Sequence, residues 1–441
     1  MSELPIPRPS ACPGLLRIVQ ALDGGICRIK LPGGTLANNQ ARAIADAAQR
    51  FASGVLELTN RSNLQIRGVR TEAERDLIRA LLEANLGPSV ADADDVRNLM
   101  LSPAAGLDRQ QHMDTRPLAA ALLALLEDNR ALHALSAKFA LQLDGGESLC
   151  MLEHAHDLWL RALPGTPQRL AFGLAGCPTD RPLGLVAATD AVQLVEAILL
   201  IFLESAGPEQ RRMRQLLESI PAEVFLLRIQ ARLPFVVLPV PADWPRQNPA
   251  ADAPVGIIMQ RQPGLAMVAA SAPLGRIDAQ QLLAVAELAR LHGDGSLRLT
   301  PWQGLLIPNV QVDDADTLLG ALDLAGLLTD NAAPLANLIA CTGSAGCARG
   351  LADTKNDALK LARCLQQHAP HPRVHLSGCP RSCAAAHVAP FTLLAVGDGR
   401  YQLYGRQVGM AGFGQPLTPP MDIEYAGAWL AQHHATGRTN A

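Results

Sequence analysis

Hydrophobic and polar residues follow a strand, helix, strand order near the start of the chain. Ile26 to Leu31 alternates as a strand does and runs into the loop sequence Pro32-Gly33-Gly34. Between Asn38 and Phe51 the apolar residues recur at helical spacing, and Val55 to Val69 returns as extended chain. The pattern predicts a small β-α-β unit.

The same pattern recurs at a constant offset of 241 residues, without a gap across about forty positions. The first copy contributes twelve identities, namely Pro32, Gly34, Gln40, Ala45, Ala48, Gly54, Leu56, Leu58, Thr59, Leu64, Ile66 and Val69. Two unrelated segments would rarely match in this way, so we predict an internal duplication. The blocks that follow also correspond by order, with Asn98-Leu99-Met100 matching Asn337-Leu338-Ile339.

The duplication predicts an α+β protein with two small units and two larger domains around a cleft. We place the domains at residues 1–72, 73–238, 239–315 and 316–441. The proline-rich segment Pro239 to Pro254 is predicted to link the two halves.

The two copies differ in one polar strand. On one face of the strand within Thr59 to Arg67, the first copy carries Arg61, Asn63, Gln65 and Arg67. The matching positions of the second copy are Trp302, Gly304, Leu306 and Pro308. Arginine side chains bind carboxylates through two parallel hydrogen bonds, so this face suits a polycarboxylate ligand. The alternative is the solvated face of an edge strand.

Four cysteines form two close pairs near the C-terminus. Five residues separate Cys341 from Cys347, three separate Cys379 from Cys383, and 31 lie between the pairs. The loops are rich in Gly, Ser, Thr and Ala, which let backbone N–H groups approach sulfur. We predict a [4Fe–4S] site; a zinc site and unrelated buried or disulfide thiols are the alternatives.

Composition narrows the possible partners. The 441 residues carry a net charge of −3 and only 3% aromatics, so neither nucleic acid nor an anionic membrane is expected as a partner. The apolar runs Leu118 to Leu126 and Leu194 to Leu203 are too short to span a bilayer. We therefore expect a soluble cytoplasmic protein.

The paired cysteine loops resemble those of the sirohaem-dependent sulfite and nitrite reductases. Three further segments are similar to the basic motifs that line the tetrapyrrole and substrate pocket in that superfamily: Thr59-Asn60-Arg61 with Gln65, Asp95-Val96-Arg97-Asn98, and Lys138-Phe139. The resemblance implies an internally duplicated nitrite/sulfite reductase-like fold, with two ferredoxin-like units and two larger α+β domains related by a pseudo-twofold axis. It also implies that Cys383 can bridge the cluster to a tetrapyrrole iron.

One position departs from those reductases. They place a polar or basic residue two positions after the lysine, where this chain has Ala140. We therefore expect weakened binding of a small oxyanion at a haem iron, because that binding depends on converging donors.

Other segments resemble the precorrin-3B synthases, the oxygen-dependent branch of the superfamily that acts in aerobic cobalamin synthesis. These segments are Cys12-Pro-Gly-Leu-Leu-Arg17, Leu31-Pro-Gly-Gly34, Ser102-Pro-Ala-Ala-Gly106-Leu-Asp108 and Asp114-Thr-Arg116-Pro117-Leu. The resemblance implies a monooxygenase that uses O2 and reducing equivalents to hydroxylate precorrin-3A at C20 with formation of a γ-lactone. The substrate would occupy the place of sirohaem and would be bound by Arg61, Asn63, Gln65, Arg67, Arg97 and Lys138.

A cluster with four cysteine ligands has no open position for O2, so we also predict an additional mononuclear non-haem iron. Its candidate ligands include His154, His156, His375 and His387, and none is singled out. No dinucleotide fingerprint is present, so an external electron donor or reductase is expected. Two alternatives remain: a sirohaem-dependent sulfite or nitrite reductase, which would bind sirohaem, and a non-catalytic iron–sulfur or tetrapyrrole-binding protein.

Overall fold

The computed structural model describes residues 10, 12–242, 244, 254–385, 389–406 and 412–434, which form a mixed α+β protein with four five-stranded sheets. Within these ranges no helix has both the length and the apolar character needed to cross a membrane. Most of the predicted linker Pro239 to Pro254 lies outside the described residues.

The first ferredoxin-like unit follows the predicted strand and helix order. Its elements are β1 (Val19–Ala21), β2 (Gly24–Ile29), β3 (Thr35–Ala37), α1 (Asn38–Phe51), β4 (Val55–Leu58), β5 (Leu64–Val69) and α2 (Glu74–Glu83). The apolar stripe of α1, which includes Ala41, Ile44 and Ala48, is buried against the sheet. A tight turn precedes β5, where the Thr59 hydroxyl accepts hydrogen bonds from the N–H groups of Arg61 (3.3 Å) and Asn63 (3.1 Å).

The first large domain contains a mixed sheet flanked by helices. Its elements are β6 (Leu99–Met100), α3 (Arg116–Asp128), β7 (Leu141–Asp144), β8 (Leu158–Leu163), β9 (Thr166–Leu174), β10 (Gly184–Ala187), α4 (Ala191–Ser205), α5 (Met213–Leu217) and α6 (Ala222–Arg232). The strand order is β10-β9-β8-β7-β6, with parallel pairing from β6 to β8 and antiparallel pairing from β8 to β10.

The second half repeats both parts. Its small unit contains β11 (Gly256–Met259), β12 (Leu265–Ser271), β13 (Arg276–Asp278), α7 (Ala279–His292), β14 (Ser296–Leu299), β15 (Gly304–Gln311) and α8 (Ala315–Leu324). Its large domain contains β16 (Leu338–Ala340), α9 (Thr354–Leu365), β17 (Val374–Ser377), β18 (Phe391–Gly397), β19 (Arg400–Gly405), β20 (Gln415–Pro416) and α10 (Ile423–His434). The sheet order β16-β17-β18-β19-β20 has the same parallel and antiparallel steps as the first large domain.

The two small units exchange strands reciprocally. Strand β13 pairs with β4 of the first unit, and β3 pairs with β14 of the second. Helices α1 and α7 pack together, and one hydrophobic core includes Ile44 of the first unit and Leu282 of the second. This core also takes in Leu77 of α2 and Leu318 of α8, which follow the predicted boundaries at residues 72 and 315.

The predicted duplication is confirmed by the structure. Each element of the first small unit has a counterpart of the same type in the second, in the same order, and the sheets of the two large domains share one topology. The turn before β5 places Ser62 at a φ of 56°, and the matching turn before β15 places Gln303 at 60°. Few residues other than glycine adopt positive φ, so the shared conformation marks a repeated backbone path.

Candidate functional site

Two neighbouring parallel strands carry the four predicted cluster cysteines. Cys341 directly follows β16, and Cys379 and Cys383 lie in the loop after β17. Since β16 and β17 are parallel, their carboxyl ends meet at the same edge of the sheet. Burial and the nearby thiols of Cys379, Cys341 and Cys347 raise the pKa of the Cys383 thiol, so the four sulfurs form one group.

The two cysteine loops pack closely around Cys341. The N–H of Gly378 donates a hydrogen bond to Cys341 Sγ at 3.2 Å, and the Thr354 hydroxyl lies 3.5 Å from the same sulfur. Gly343, at a φ of +67°, lies so close to the start of α9 that an added Cβ would be 2.6 Å from the Thr354 nitrogen. The predicted approach of a backbone N–H group to sulfur is thus seen at Cys341, between Gly378 N–H and Sγ.

These loops fit an iron–sulfur cluster better than a single metal ion. All four thiols are free, and within the described ranges no three His, Cys, Asp or Glu side chains converge as one metal ion would require. Zinc needs its four ligands about 2.3 Å from one centre, whereas each iron of a [4Fe–4S] cluster takes only one cysteine. Cys341, Cys347, Cys379 and Cys383 are the residues that would hold the cluster.

The two loops that carry Cys341 with Cys347 and Cys379 with Cys383 are called the cluster loops. A cationic cleft lies beside them, between the first small unit and the first large domain. Its lining consists of Arg61, Asn63, Arg97, Asn98, Leu99, Met100, Ala140, Leu141 and His156. The lining is rich in hydrogen-bond donors, and Arg61 and Asn63 reach it from the turn before β5.

The cleft concentrates positive charge. Burial together with the neighbouring Arg212 and Arg28 lowers the pKa of Arg61 to about 10. Arg97 pairs with Glu127 through Nε at 2.7 Å, while its buried Nη1 has no hydrogen-bond partner among the described residues. A buried donor without a partner is costly, so these guanidinium groups are suited to an anionic ligand that enters the cleft.

The cleft and the cluster loops are in direct contact. The Asn60 side chain donates a hydrogen bond to the Cys383 carbonyl at 3.3 Å. The pKa of Arg28 is lowered by burial, against the opposing effect of the nearby thiols of Cys12 and Cys383. A ligand in the cleft would therefore lie close to the fourth cluster ligand.

The structure separates the six predicted pocket residues into two sets. Arg61, Asn63 and Arg97 line the cleft. Gln65 instead bonds to Arg28, its amide oxygen accepting from Nη2 at 2.7 Å and from Nε at 3.1 Å. Lys138 is exposed and lies outside the cleft lining. Direct contact between any of the six and a substrate remains a prediction.

Arg67 is engaged by protein groups on the side of its strand that faces the cluster loops. Its guanidinium makes two hydrogen bonds to Asp23, at 2.8 and 2.7 Å, and pairs with Glu57 at 3.3 Å. A further bond of 3.3 Å reaches the carbonyl of Gly346, between the first two cluster cysteines. In this arrangement Arg67 fixes the cluster loop to β5.

The predicted histidine pair lies in the segment before β8. The rings of His154 and His156 are 4.8 Å apart, and His156 Nδ1 lies 2.7 Å from the His154 carbonyl. A carbonyl only accepts, so Nδ1 carries the proton and Nε2 presents a lone pair to the cleft. Burial and the adjacent Arg61 lower the pKa of His156 to about 3, so the ring is neutral.

No ligand set for the predicted additional iron is found within the described residues. His375 is buried in β17, and His387 lies outside the described residues. The additional iron remains a prediction without an assigned site.

Two cations of the site were missed at the sequence level. Arg28 is readable in principle, because β2 alternates and its register places Arg28 opposite Gln65. Arg212 lies just before α5 and reaches the site through Asp157, to which its Nε donates at 2.9 and 2.8 Å. No local sequence pattern predicts that contact, because the two residues are 55 positions apart in the chain.

Comparison with protein-family models identifies two domains. The nitrite/sulfite reductase ferredoxin-like half domain matches residues 19–84 and 258–325, and the nitrite and sulphite reductase 4Fe-4S domain matches residues 92–236. The second match supports an iron–sulfur cluster. It covers the first large domain, whereas the four cysteines lie in the repeat of that domain in the second half.

Curated relatives come from two groups of enzymes. The chain is 31% identical over 395 residues to the chloroplastic ferredoxin–nitrite reductase of Spinacia oleracea, covering 82% of this chain and 65% of that enzyme. For the Zea mays enzyme the identity is 32% over 396 residues, covering 82% of this chain and 68% of that enzyme. The chain thus spans about two thirds of the length of these plant proteins. A precorrin-3B synthase of Sinorhizobium sp is 26% identical over 415 residues, covering 93% of this chain and 84% of that enzyme.

The fold agrees with a solved structure. The Mycobacterium tuberculosis NirA protein superposes with a TM-score of 0.79 at 21% identity, covering 95% of this chain and 82% of that chain. At this identity the likeness supports the fold alone. Taken with the family matches and the maize relative, it confirms the predicted duplicated fold, and the chain belongs to the nitrite and sulfite reductase family.

Proposed function

We propose that this oxidoreductase is a monooxygenase of the precorrin-3B synthase type. It would act on precorrin-3A with O2 and reducing equivalents, giving the C20-hydroxylated γ-lactone. The observation that carries the proposal is the cationic cleft beside four cysteine thiols, in which Ala140 stands where the reductases place a polar or basic residue.

The cleft favours a polycarboxylate over a small oxyanion. Arg61 and Arg97 lie on different elements, and Arg28 adds charge close to Arg61. Separated arginines can each bind one carboxylate of a large ring and fix its orientation. Ala140 adds only a methyl group, so the cleft lacks one of the converging donors that would hold nitrite or sulfite at a metal.

His156 supplies an acceptor in a cleft otherwise rich in donors. Its neutral ring presents the Nε2 lone pair, which has no hydrogen-bond partner among the described residues. A metal-free tetrapyrrole carries pyrrole N–H groups, whereas sirohaem uses all four ring nitrogens to bind iron. An acceptor at this point therefore suits a metal-free substrate.

The cluster, when bound, would supply single electrons to the reaction. Electrons would come from an external donor, because the chain shows no dinucleotide fingerprint. Arg349 and Arg381 are exposed in the two cysteine loops. They would favour an acidic donor protein at this edge of the cluster.

The coverage of the match with a precorrin-3B synthase also supports the oxygenase. The match with the Sinorhizobium precorrin-3B synthase covers 93% of this chain and 84% of that enzyme, against 82% and 65% for the spinach nitrite reductase. The correspondence with the synthase is thus closer to end to end, although its identity is lower.

A sirohaem-dependent nitrite reductase is the second candidate. It is favoured by the higher identity to the plant enzymes, 31% and 32% against 26%. In that case Arg61, Asn63 and Arg97 would be the residues that hold sirohaem, and the cysteine loops beside the cleft would hold the cluster.

The test begins with protein purified without O2. Its visible spectrum, iron and acid-labile sulfide are measured, and it is then supplied with precorrin-3A, a chemical reductant and ¹⁸O2. The oxygenase predicts iron–sulfur absorbance without sirohaem bands and a product that carries one ¹⁸O atom, the other atom being reduced to water by two electrons and two protons. Sirohaem bands with nitrite consumption and no ¹⁸O in the tetrapyrrole would replace this proposal with the reductase.

A further inference from the structure

A largely buried carboxylate lies where the two small units meet a cluster loop. Glu57 is on β4, and the residue opposite it in the strand exchange is Arg276 of β13, which pairs with it at 2.6 Å. The Glu57 side chain is only 12% exposed. The hydroxyl of Thr342, the residue after Cys341, donates a hydrogen bond to Glu57 at 3.2 Å. Glu57 therefore joins both small units to the loop that carries the first two cluster cysteines.

Three cations surround this carboxylate. Besides Arg276, they are Arg67 of β5 at 3.3 Å and Lys355 of α9 at 3.9 Å. Burial opposes ionisation of Glu57, but the three cations outweigh burial and lower the pKa of this carboxyl group, so it is ionised at neutral pH. Asp23 is the second anion of the network, since it accepts two hydrogen bonds from Arg67. Three cations thus face two carboxylates, and one positive charge is left in excess.

Lys355 places positive charge next to a cluster ligand. Its Nζ donates to the carbonyl of Ala340 at 3.2 Å and to that of Leu274 at 2.6 Å. Ala340 directly precedes Cys341. The neighbouring Thr354 brings its hydroxyl to 3.5 Å from Cys341 Sγ, so the start of α9 approaches this sulfur. The potential of an iron–sulfur cluster depends on the charge and hydrogen bonds around its sulfurs, so this cation is suited to influence it.

The other half carries the equivalent contact with the opposite charge. Arg298 is the counterpart of Glu57 under the offset of 241 residues. Pro103 and Thr342 also correspond, because each lies four residues after the first residue of its strand, β6 or β16. Arg298 donates to the Pro103 carbonyl at 3.2 Å, whereas Glu57 accepts from Thr342. Each small unit thus contacts the large domain of the other half, with an anion at the loop that carries cysteines and a cation at the loop that does not.

We propose that Glu57 and Lys355 are positioning residues of the cluster, which hold the first cluster loop in place and set the potential at which the cluster is reduced. Glu57 fixes the loop through Thr342 and disfavours an added electron, whereas Lys355 favours one, because charges of opposite sign attract. The role concerns electron transfer from the external donor, so it applies to an oxygenase and to a reductase alike. It rests on the assignment of the [4Fe–4S] cluster to the four cysteines.

The test uses the full-length protein with its cluster, purified without O2. The midpoint potential is measured by reductive titration with dithionite, followed by visible absorbance. Glu57→Gln removes a negative charge and is expected to shift the midpoint to a more positive potential. Lys355→Met removes a positive charge and is expected to shift it to a more negative potential. A purely structural role would not reverse the sign of the shift between the two variants.

Arg298→Gln is the matched control, because it removes one charge at the equivalent position of the half without cluster cysteines. It is expected to shift the midpoint less than either of the other substitutions. Thr342→Val keeps every charge and removes only the hydroxyl that binds Glu57. It is expected to release iron to a chelator about tenfold faster than the wild type, because losing a contact that orients a metal site weakens metal binding by about this factor or more.

The proposal is overturned if Glu57→Gln and Lys355→Met shift the midpoint in the same direction or not at all. It is also overturned if Arg298→Gln shifts the midpoint as far as they do, or if Thr342→Val keeps the wild-type rate of iron release. Wild-type protein without iron and acid-labile sulfide would overturn the cluster assignment as well. Sirohaem bands together with the expected shifts would instead replace the oxygenase and leave this proposal standing.

Discussion

The loops that follow β7 and β17 occupy equivalent places in the two halves. The loop after β17 carries two cysteines of the predicted cluster site, whereas the loop after β7 carries carboxyl groups. When the two strands are aligned without a gap, Asp144 matches Ser377, Gly146 matches Cys379, and Cys150 matches Cys383. One cysteine is thus shared, while the others needed for a cluster are present in the second half alone.

In the first half, side-chain carboxyl groups accept hydrogen bonds from the backbone N–H groups of this loop. The Gly145 N–H donates to Glu147 Oε2 and the Gly146 N–H donates to Asp144 Oδ1, both at 2.7 Å. The Ser148 N–H donates to Asp108 Oδ2 at 2.9 Å. Where the second half would bind a cluster, carboxyl groups satisfy the backbone. The comparison shows that the shared backbone permits a cluster site and that the side chains decide whether one forms.

The test with the largest expected effect compares Cys383 with Cys150, the cysteine at the equivalent position of the first-half loop. Cys383→Ser is expected to abolish assembly of a stable cluster, because a serine hydroxyl is a poor replacement for a thiolate ligand. Cys150→Ser is the matched control and is expected to keep the wild-type iron and acid-labile sulfide. Both are measured after purification without O2, together with absorbance in the visible range. Equal loss of iron in the two variants would show that Cys150 has more than a structural role.

The second test concerns Arg67, whose counterpart in the other half is Pro308. The Arg67 side chain is only 4% exposed and pairs with Asp23 and Glu57. Arg67→Met would leave Asp23 without this cation, while Glu57 would keep its pair with Arg276. We expect a loss of about 3 kcal/mol in the free energy of unfolding, as for other broken buried pairs.

Urea denaturation measures this loss, with Arg42→Met as the control. Arg42 makes an exposed pair with Glu287, and removing such a pair changes stability by about 1 kcal/mol or less. If both substitutions had equally small effects, the Arg67 contacts would not hold the cluster loop to β5.

The third test compares Arg61, a predicted ligand that lines the cleft, with Lys138, a predicted ligand that does not. The probe is uroporphyrin III, an octacarboxylate tetrapyrrole. Arg61→Gln is expected to weaken its binding about tenfold, since the substitution removes a charge-assisted contact in a partly desolvated cleft. Lys138→Gln is expected to change the affinity by about twofold or less, because Lys138 is exposed and outside the lining. Equilibrium titration of both variants decides. A larger effect at Lys138 would restore the sequence-based prediction for that residue.

The sequence predicted the features that depend on local spacing or on direct repetition. The two βαβ patterns share twelve identities at one offset, and the four cysteines form two pairs on adjacent loops. Both signals can be read from the linear chain, because each copy of the βαβ pattern and the set of four cysteines each span only about forty residues.

What the sequence could not show depends on contacts between distant segments. The reciprocal exchange of β3 and β13 leaves each strand's pattern unchanged, so nothing local marks the partner sheet. The strand predicted from Thr59 to Arg67 begins only at Leu64, because the residues before it form a turn that separates Arg61 from Arg67. Asp23, which is 44 residues from Arg67 in the chain, binds Arg67. Arg212 similarly joins the cleft through Asp157, 55 residues before it.

The test with the smallest expected effect measures how stability depends on pH. It concerns the carboxyl group of Glu147, which lies in the first-half loop equivalent to a cysteine loop of the second half. Burial, together with the nearby Asp144, raises the pKa of Glu147 from its ordinary value near 4.5 to about 8. Below the ordinary value both the folded and the unfolded states bind the proton, and the stabilising contribution of Glu147 is complete. As the pH rises towards 8, the unfolded state ionises first, so this contribution is progressively lost.

Glu147→Gln cannot ionise, so its thermal midpoint is expected to fall less between pH 5 and pH 8 than that of the wild type. The exposed Glu83→Gln is the control and is expected to keep the wild-type pH dependence. Thermal unfolding across this range gives the comparison directly. Parallel curves for the wild type and Glu147→Gln would mean that Glu147 is ionised in the folded protein at neutral pH. The first-half loop would then hold a buried negative charge, and the carboxyl groups could not be regarded as a neutral replacement for the cluster.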